Sequence, residues 1–187
     1  MRRREFITIF GTTTLAWPLA VRAQPSAMLV IGFLNGASAE LSAHYVGPFR
    51  QGLSEAGYVE GRNVVIDFRW ANGQYDRLPA LAADLVRRRV SVIAATSTPT
   101  GLPAKAATTS IPIVFVTGSD PVELGLVASL NRPGGNLTGV TTLAVGLGQK
   151  RLELMRELVP TATLIAVLVN PTGPNLAAVL RDLQGAA

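Results

Sequence analysis

The chain has 187 residues, of which 48% are hydrophobic and 16% are charged, and it contains no cysteine and one histidine. This composition excludes a disordered chain, and the missing cysteines exclude thiol catalysis, disulfide frameworks, cysteine-based metal sites and a lipid anchor on an N-terminal cysteine. A single histidine also excludes a multi-histidine metal cluster within the chain. No metal and no cofactor are therefore expected.

The formal net charge of +5 is concentrated near the N-terminus, which argues against a nucleic-acid-binding protein. Outside residues 1–23 the chain retains 13 basic and 11 acidic side chains. A nucleic-acid binder needs a concentrated basic face to displace counterions from phosphates. The one basic run in the rest of the chain, Arg87-Arg88-Arg89, falls at a predicted helix end, where cations complement the helix dipole. We expect no nucleic-acid partner.

Residues 1–23 have the pattern of an export signal peptide. A basic start, Arg2-Arg3-Arg4, precedes an apolar stretch from Ile7 to Ala20. That stretch is shorter than the roughly 20 residues that a membrane-spanning helix needs. Val21-Arg22-Ala23 suits a signal peptidase, which predicts cleavage near Ala23. Because Arg3-Arg4-Glu5-Phe6-Ile7 resembles the twin-arginine export signal, we expect a translocon to deliver the protein to the periplasm. Without a cysteine, the mature protein is not expected to be a lipoprotein.

From residue 28 onward, short apolar runs alternate with amphipathic stretches, a pattern typical of a parallel sheet with helices on both faces. The pattern predicts strands over 28–34, 63–70, 90–95, 112–116 and 139–142, and helices over 41–56, 76–89, 99–108 and from Asp120 onward. The fold class is α/β, and residues 24–142 are predicted to form one complete three-layer lobe with a parallel sheet.

Residues 143–187 are predicted to form a hinge and the first strand-helix unit of an incomplete second lobe. After a connection over 143–149, the pattern predicts a helix over 150–159, a strand over 163–169 and a further helix over 175–184. A single strand without companions cannot bury both of its apolar faces.

Four stretches of the sequence resemble a known protein family. They are residues 49–61 (FRQGLSEAGYVEG), 75–79 (YDRLP), 118–122 (GSDPV) and 131–136 (NRPGGN). Together, in this order, they are similar to the tryptophan/tyrosine-type substrate-binding proteins of ABC transporters. The resemblance implies a type I periplasmic-binding-protein-like fold, in which two lobes joined by a hinge enclose a small ligand and deliver it to an ABC permease in the inner membrane. Members of the family are much longer than this chain, so the resemblance also implies C-terminal truncation.

Candidate ligand-binding residues follow from the rule that ligands of open parallel sheets bind beyond the carboxyl ends of the strands. Short hydroxyl side chains and free N–H groups at helix starts suit a ligand carboxylate, so we predict an amino-acid-like ligand or an aromatic acid. The rule selects residues after the first, third, fourth and fifth strands and, for the opposing jaw, one residue after the strand of the second lobe: Asn35, Ser38, Ser97, Thr98, Ser119, Asp120, Thr141 and Asn170.

Several of these residues also have a simpler explanation. Ser38, Thr98 and Asp120 are residue types that cap helices, and for each one alone capping is the simpler interpretation. Trp70 at the end of the second strand fits a core or lid aromatic better than a ligand-stacking residue. His44 has no nucleophile or acid partner that would make it catalytic.

Three alternatives compete with a transport receptor: an enzyme, a ligand-sensing protein of the repressor or periplasmic kind, and a truncated, non-functional paralogue. An enzyme is not expected, because residues 32–36 (GFLNG) lack the Gly-x-Gly-x-x-Gly spacing of dinucleotide enzymes and no phosphate-loop or nucleophile-elbow motif is present. A repressor would carry a DNA-binding helix pair where this chain has an export signal. A periplasmic ligand-sensing protein and a truncated, non-functional paralogue remain open.

Overall fold

A five-stranded parallel sheet flanked by helices forms the centre of the structure, a computed structural model that describes residues 28–173 and 175–185. The export signal predicted over residues 1–23 lies outside the described residues. The strands are β1 (Leu29–Asn35), β2 (Val64–Trp70), β3 (Val92–Ala95), β4 (Ile113–Thr117) and β5 (Leu137–Thr141). The α-helices are α1 (Ala43–Glu55), α2 (Leu78–Arg87), α3 (Gly101–Ala107), α4 (Gly148–Leu158) and α5 (Leu176–Gln184), and short 3₁₀ helices cover Tyr75–Arg77, Thr98–Thr100 and Ala144–Leu147.

The strand order β2-β1-β3-β4-β5 confirms the predicted α/β lobe. All four strand pairs are parallel, with Phe33 of β1 opposite Phe68 on one side and Ala94 on the other. The chain leaves β1 for β2 on one side and then crosses to β3 on the other. At such a switch point the two connections diverge and leave a crevice at the carboxyl ends of the strands.

Helices cover both faces of the sheet, and each face has its own apolar cluster. On one face, α1 packs with Val46, Phe49 and Leu53 against the sheet. The Phe33 ring lies at the centre of this cluster, with centroid distances of 5.2 Å to Phe49 and 5.4 Å to Trp70. Trp70 is partly buried and packs against this core, in line with the simpler interpretation. On the opposite face, α2 and α3 bury a second cluster that includes Leu34, Leu78, Leu85, Ile93, Ala104 and Ile113.

The prediction of a helix beginning at Asp120 was wrong, because the segment makes only one turn, over 121–125. Gly125 adopts a left-handed conformation with φ of +68°, which ends the turn. The carbonyl of Pro121 then accepts hydrogen bonds from the N–H groups of Leu126 (2.8 Å) and Val127 (3.3 Å). Both of these apolar side chains are buried, so their burial against the core outweighs continuation of the helix.

In residues 143–185 the two predicted helices form, as α4 and α5, but the predicted strand over 163–169 does not. Strand structure requires a neighbouring strand for its N–H and C=O groups, and none pairs with this segment in the described part of the chain. Leu164 is 86% exposed and Leu168 fully exposed. Among residues 28–173 and 175–185, no helix combines the length and apolar character needed to cross a bilayer.

The Arg87-Arg88-Arg89 run ends α2, as predicted, and two of its side chains take part in ion pairs. Asp84 accepts hydrogen bonds from Arg69 (2.7 Å), Arg87 (2.9 Å) and Arg88 (3.0 Å). The hydrogen bond from Arg69 is the main reason that the pKa of Asp84 falls from 3.8 to about 2. Two of the three arginines are therefore paired within the lobe, which fits a helix-end role rather than a nucleic-acid surface.

Candidate functional site

A groove of about 600 Å³ opens at the carboxyl ends of β1, β3 and β4, next to the switch point of the sheet. Its base and rim are apolar and aromatic, and short polar side chains project from the strand ends. The lining residues include the aromatic or apolar Phe33, Tyr45, Phe49, Tyr75, Pro99 and Val116 and the polar Asn35, Ser42, Thr96, Ser97, Thr98, Thr117 and Thr142.

Asn35, the last residue of β1, is buried at the head of the groove with its amide held in one orientation. Its Nδ2 donates to Thr96 Oγ1 at 2.9 Å, while the Thr96 hydroxyl donates to the carbonyl of Leu34 at 3.2 Å. The Asn35 Oδ1 accepts from the N–H of Ala37 at 2.7 Å. Because a carbonyl only accepts and an N–H only donates, these contacts leave one assignment of the amide.

Ser97 and Thr98 connect the ends of three strands. The Ser97 Oγ accepts from the N–H of Gly36 at 3.0 Å, which links β3 to β1. The Thr98 Oγ1 accepts from the N–H of Gly118 and from the Thr117 hydroxyl, each at 3.2 Å, which links β3 to β4. Thr98 therefore bridges two strand ends instead of capping a helix. Both hydroxyls lie in the groove wall, as the strand-end rule predicted.

Gly36 allows two rings to close over the end of β1. A Cβ at this position would lie 2.9 Å from Pro99 Cγ and 3.1 Å from Tyr75 Cε1, closer than side chains tolerate. Tyr75 and the exposed Tyr45 were not predicted as site residues. The strand-end rule, applied to the loop after β2, would have selected Tyr75. No comparable sequence signal marks Tyr45, because its place at the groove depends on how α1 is rotated.

Ser119, Asp120 and Thr141 lie together, but beside the groove rather than in its lining. Ser119 and Asp120 line an adjoining cavity, and the Ser119 Oγ is buried without a hydrogen-bond partner in the described part of the chain. Asp120 caps the following turn, since its Oδ1 accepts from the N–H of Val122 at 2.7 Å. The Thr141 hydroxyl donates to the Ser119 carbonyl at 2.9 Å. Its neighbour Thr142, rather than Thr141, lines the groove.

Ser38 and Asn170 lie outside the groove lining. The Ser38 Oγ accepts from the N–H of Leu41 at 3.3 Å, as a capping residue does. Asn170 is exposed, and its Oδ1 accepts from the N–H and the hydroxyl of Thr172, both at 3.0 Å. His44 is exposed and contacts the Tyr45 ring, with centroids 3.8 Å apart. Of the eight predicted residues, the structure thus brings Asn35, Ser97 and Thr98 together in one groove.

The groove can hold a small molecule through hydroxyl, amide and aromatic contacts. No Asp, Glu, Lys, Arg or His contributes to its lining within the described residues. An uncharged crevice at the switch point of a parallel sheet is typical of a ligand-binding lobe. The fold is therefore that of a type I periplasmic-binding-protein-like lobe, with a crevice where ligands of such sheets bind.

Comparison with known proteins gives the family. Residues 29–187 match the family model described as ABC transporter substrate binding protein, and the chain belongs to this family. A relative from Clostridioides difficile, named tyrosine-binding protein, is 38% identical over 128 residues, which cover 68% of this chain and 36% of the relative.

Two solved structures show the same fold. A conserved domain protein from Vibrio cholerae superposes with a TM-score of 0.77 at 28% identity, covering 85% of this chain and 53% of that one. An ABC domain from Streptococcus pneumoniae, in complex with L-tryptophan, has a TM-score of 0.72 at 27% identity. This match covers 84% of this chain and 52% of that one. The chain thus spans about half the length of these solved proteins and about a third of the tyrosine-binding protein.

Proposed function

We propose that this chain is the solute-binding component of an ABC importer and that its first lobe supplies one side of the ligand site. In this proposal an exported protein captures a small polar ligand, amino-acid-like or an aromatic acid, in the periplasm. It then delivers the ligand to an ABC permease in the inner membrane. The site residues proposed for this lobe are Asn35, Ser97 and Thr98, with Tyr45 and Tyr75 as the aromatic contacts.

The observation that carries the proposal is the groove at the ends of β1, β3 and β4. Its volume of about 600 Å³ falls within the range typical of small-molecule sites. Polar atoms are few and converge from three strand ends, whereas the remaining surface is apolar or aromatic. This combination supports a ligand that has one polar end and one flat apolar part.

The ligand class is supported by the relatives. One is named a tyrosine-binding protein, and another was solved with L-tryptophan. Tyr45 and Tyr75 on the groove wall would offer a ring of this kind edge or face contacts, which contribute about 0.5–1.5 kcal/mol beyond the burial of area.

Calorimetric titration of the 187-residue chain with L-tryptophan, L-tyrosine and L-lysine tests the proposal. We expect binding of the two aromatic amino acids and none of L-lysine. Tyr45→Ala should weaken aromatic binding by about two- to tenfold, because one ring contact is lost. Tyr58→Ala is the matched control, since Tyr58 is also exposed but does not line the groove. Absence of heat with every amino acid would favour the truncated, non-functional paralogue.

Export is tested separately. If residues 1–23 act as a twin-arginine signal, the chain expressed in a Gram-negative host accumulates in the periplasm, shortened near Ala23. The Arg3→Lys/Arg4→Lys double variant should remain full-length in the cytoplasm, because paired arginines are required for that route. Recovery of the unmodified, full-length chain from the cytoplasm would contradict the export proposal.

A further inference from the structure

The hydrogen bonds that Asn35 makes within the described residues leave one of its two amide protons without a partner. The Asn35 Oδ1 accepts from the N–H of Ala37 at 2.7 Å and from the Ser42 hydroxyl at 3.4 Å, so its two lone pairs are engaged. The Nδ2 carries two protons, and one of them goes to Thr96. For the second proton no acceptor is present among the described residues. Asn35 is buried and lines the groove, so a ligand in the groove can accept this proton.

The Thr98 hydroxyl is likewise left with a proton to donate. Its oxygen accepts from the N–H of Gly118 and from the Thr117 hydroxyl. The Thr117 hydroxyl, which donates to Thr98, itself accepts from the N–H of Ser119 at 3.1 Å. Two accepted bonds use both lone pairs of a hydroxyl oxygen. The Thr98 proton is what remains, and no acceptor for it lies within the described part of the chain.

The groove thus offers donors but no anion. A buried carboxylate can be stabilised by neutral donors, whereas a buried ammonium needs acceptors and is most strongly favoured by a carboxylate. None of the acidic residues of the described chain lines the groove. The two ends of an amino acid are therefore recognised unequally by this lobe.

We infer that this lobe recognises the carboxylate and the ring of its ligand and is indifferent to the α-ammonium group. The inference deepens the proposed function and rests on it. If the inference holds, aromatic carboxylic acids without an amino group bind this lobe with the same affinity as the aromatic amino acids. Amines that lack the carboxylate are poor ligands, because they leave the protons of Asn35 and Thr98 unpaired.

Three indole compounds with the same ring test the inference on the 187-residue chain. L-Tryptophan has both charged groups, indole-3-propionate has only the carboxylate, and tryptamine has only the ammonium. We expect dissociation constants for the first two within about threefold of each other, and binding of tryptamine weaker by about tenfold or more, the effect of losing charge-assisted hydrogen bonds. The measurement is calorimetry, with competition against L-tryptophan for weak ligands.

Asn35→Asp replaces the amide with a carboxylate of the same shape and so tests whether the donor at this position selects a ligand carboxylate. This variant should lose L-tryptophan and indole-3-propionate and gain affinity for tryptamine, an inversion that loss of structure alone cannot produce. Asn131→Asp adds the same charge in an exposed loop outside the groove and should leave the order of the three ligands unchanged. Circular dichroism of both variants establishes that they are folded. If Asn35→Asp does not fold, the three-compound series on the unmodified chain still tests the inference.

The outcomes separate the two claims. Tryptamine binding as tightly as L-tryptophan, or indole-3-propionate failing to bind where L-tryptophan binds, overturns the inference and leaves the proposed function intact. Failure of all three compounds to bind overturns the proposed function and the inference with it.

Discussion

Residues 28–142 and residues 143–185 both contain apolar runs of the kind that form buried strands, but only the first region buries them. In the first region, Phe33, Leu34 and Ile93 are enclosed between the sheet and its helices. In the second, Leu164 and Leu168 face solvent, although the run that contains them is as apolar as β1. The difference is that each strand of the first region has a parallel neighbour, whereas the run over 163–169 has none in the described structure.

The contrast shows that an apolar pattern is a necessary condition for a core but not a sufficient one. Burial requires a second surface, and a strand also requires partners for its backbone groups. Helices satisfy their backbone bonds internally, which explains why α4 and α5 form while the strand between them does not. The first region therefore contains both the buried core and the candidate site.

The largest expected effect comes from truncating one leucine in each region. Leu85→Ala removes a fully buried side chain that packs against β1 and should lower the free energy of unfolding by about 2–5 kcal/mol. Leu168→Ala removes a fully exposed one and should change it by no more than about 0.5 kcal/mol. Urea unfolding followed by circular dichroism measures both. Equal effects of the two substitutions would mean that residues 143–185 have a core of their own.

Two glycine substitutions should give a smaller difference. Gly125 has a φ of +68° and open space where a methyl group would lie, so Gly125→Ala strains the backbone alone and should cost about 1–2 kcal/mol. Gly146 also has open space for a Cβ and lies in the 3₁₀ helix Ala144–Leu147. Gly146→Ala should be neutral or slightly stabilising, since alanine restricts the unfolded chain. Thermal unfolding of both variants measures the two effects. A large loss of thermal stability in Gly146→Ala would show that the second region is more tightly packed than its exposure indicates.

The smallest expected effect is a dependence of stability on pH. Arg69, Arg88 and Arg87 hold the pKa of Asp84 at about 2, below its ordinary value of 3.8. The ionised pair therefore stabilises the folded state at pH values above about 4, and this contribution is lost as the pH falls toward 2. Asp84→Asn should flatten the pH dependence of urea unfolding in that window.

Glu153→Gln is the matched control in the second region. Glu153 pairs with Lys150 at 2.8 Å, and both side chains are more than half exposed, so the pair contributes little. A pH profile that changes in the Glu153 variant and not in the Asp84 variant would contradict the assignment of the acid-sensitive interaction to the first region.

Part of the candidate site was predictable because the strand-end rule depends only on where strands end. Asn35, Ser97 and Thr98 were selected in this way, and the structure places all three in the groove. Ser119 and Asp120 follow β4 as predicted, yet the chain turns after Gly118 and carries them into the adjoining cavity. Hydrogen bonds to Thr98 and from Thr141, both distant in the sequence, hold the chain at that turn, and no local pattern predicts them.

The sequence by itself determined the order of the elements, the parallel sheet and the polar residues at the strand ends, because these follow from local periodicity and from which residue types tolerate a turn. Only the tertiary structure decided that Tyr45 lines the groove, that Asp84 pairs with three arginines, and that the run over 163–169 stays unpaired. Each of these depends on contacts between residues distant in the chain. Such contacts are set by strand order and helix packing rather than by the neighbours of a residue in the sequence.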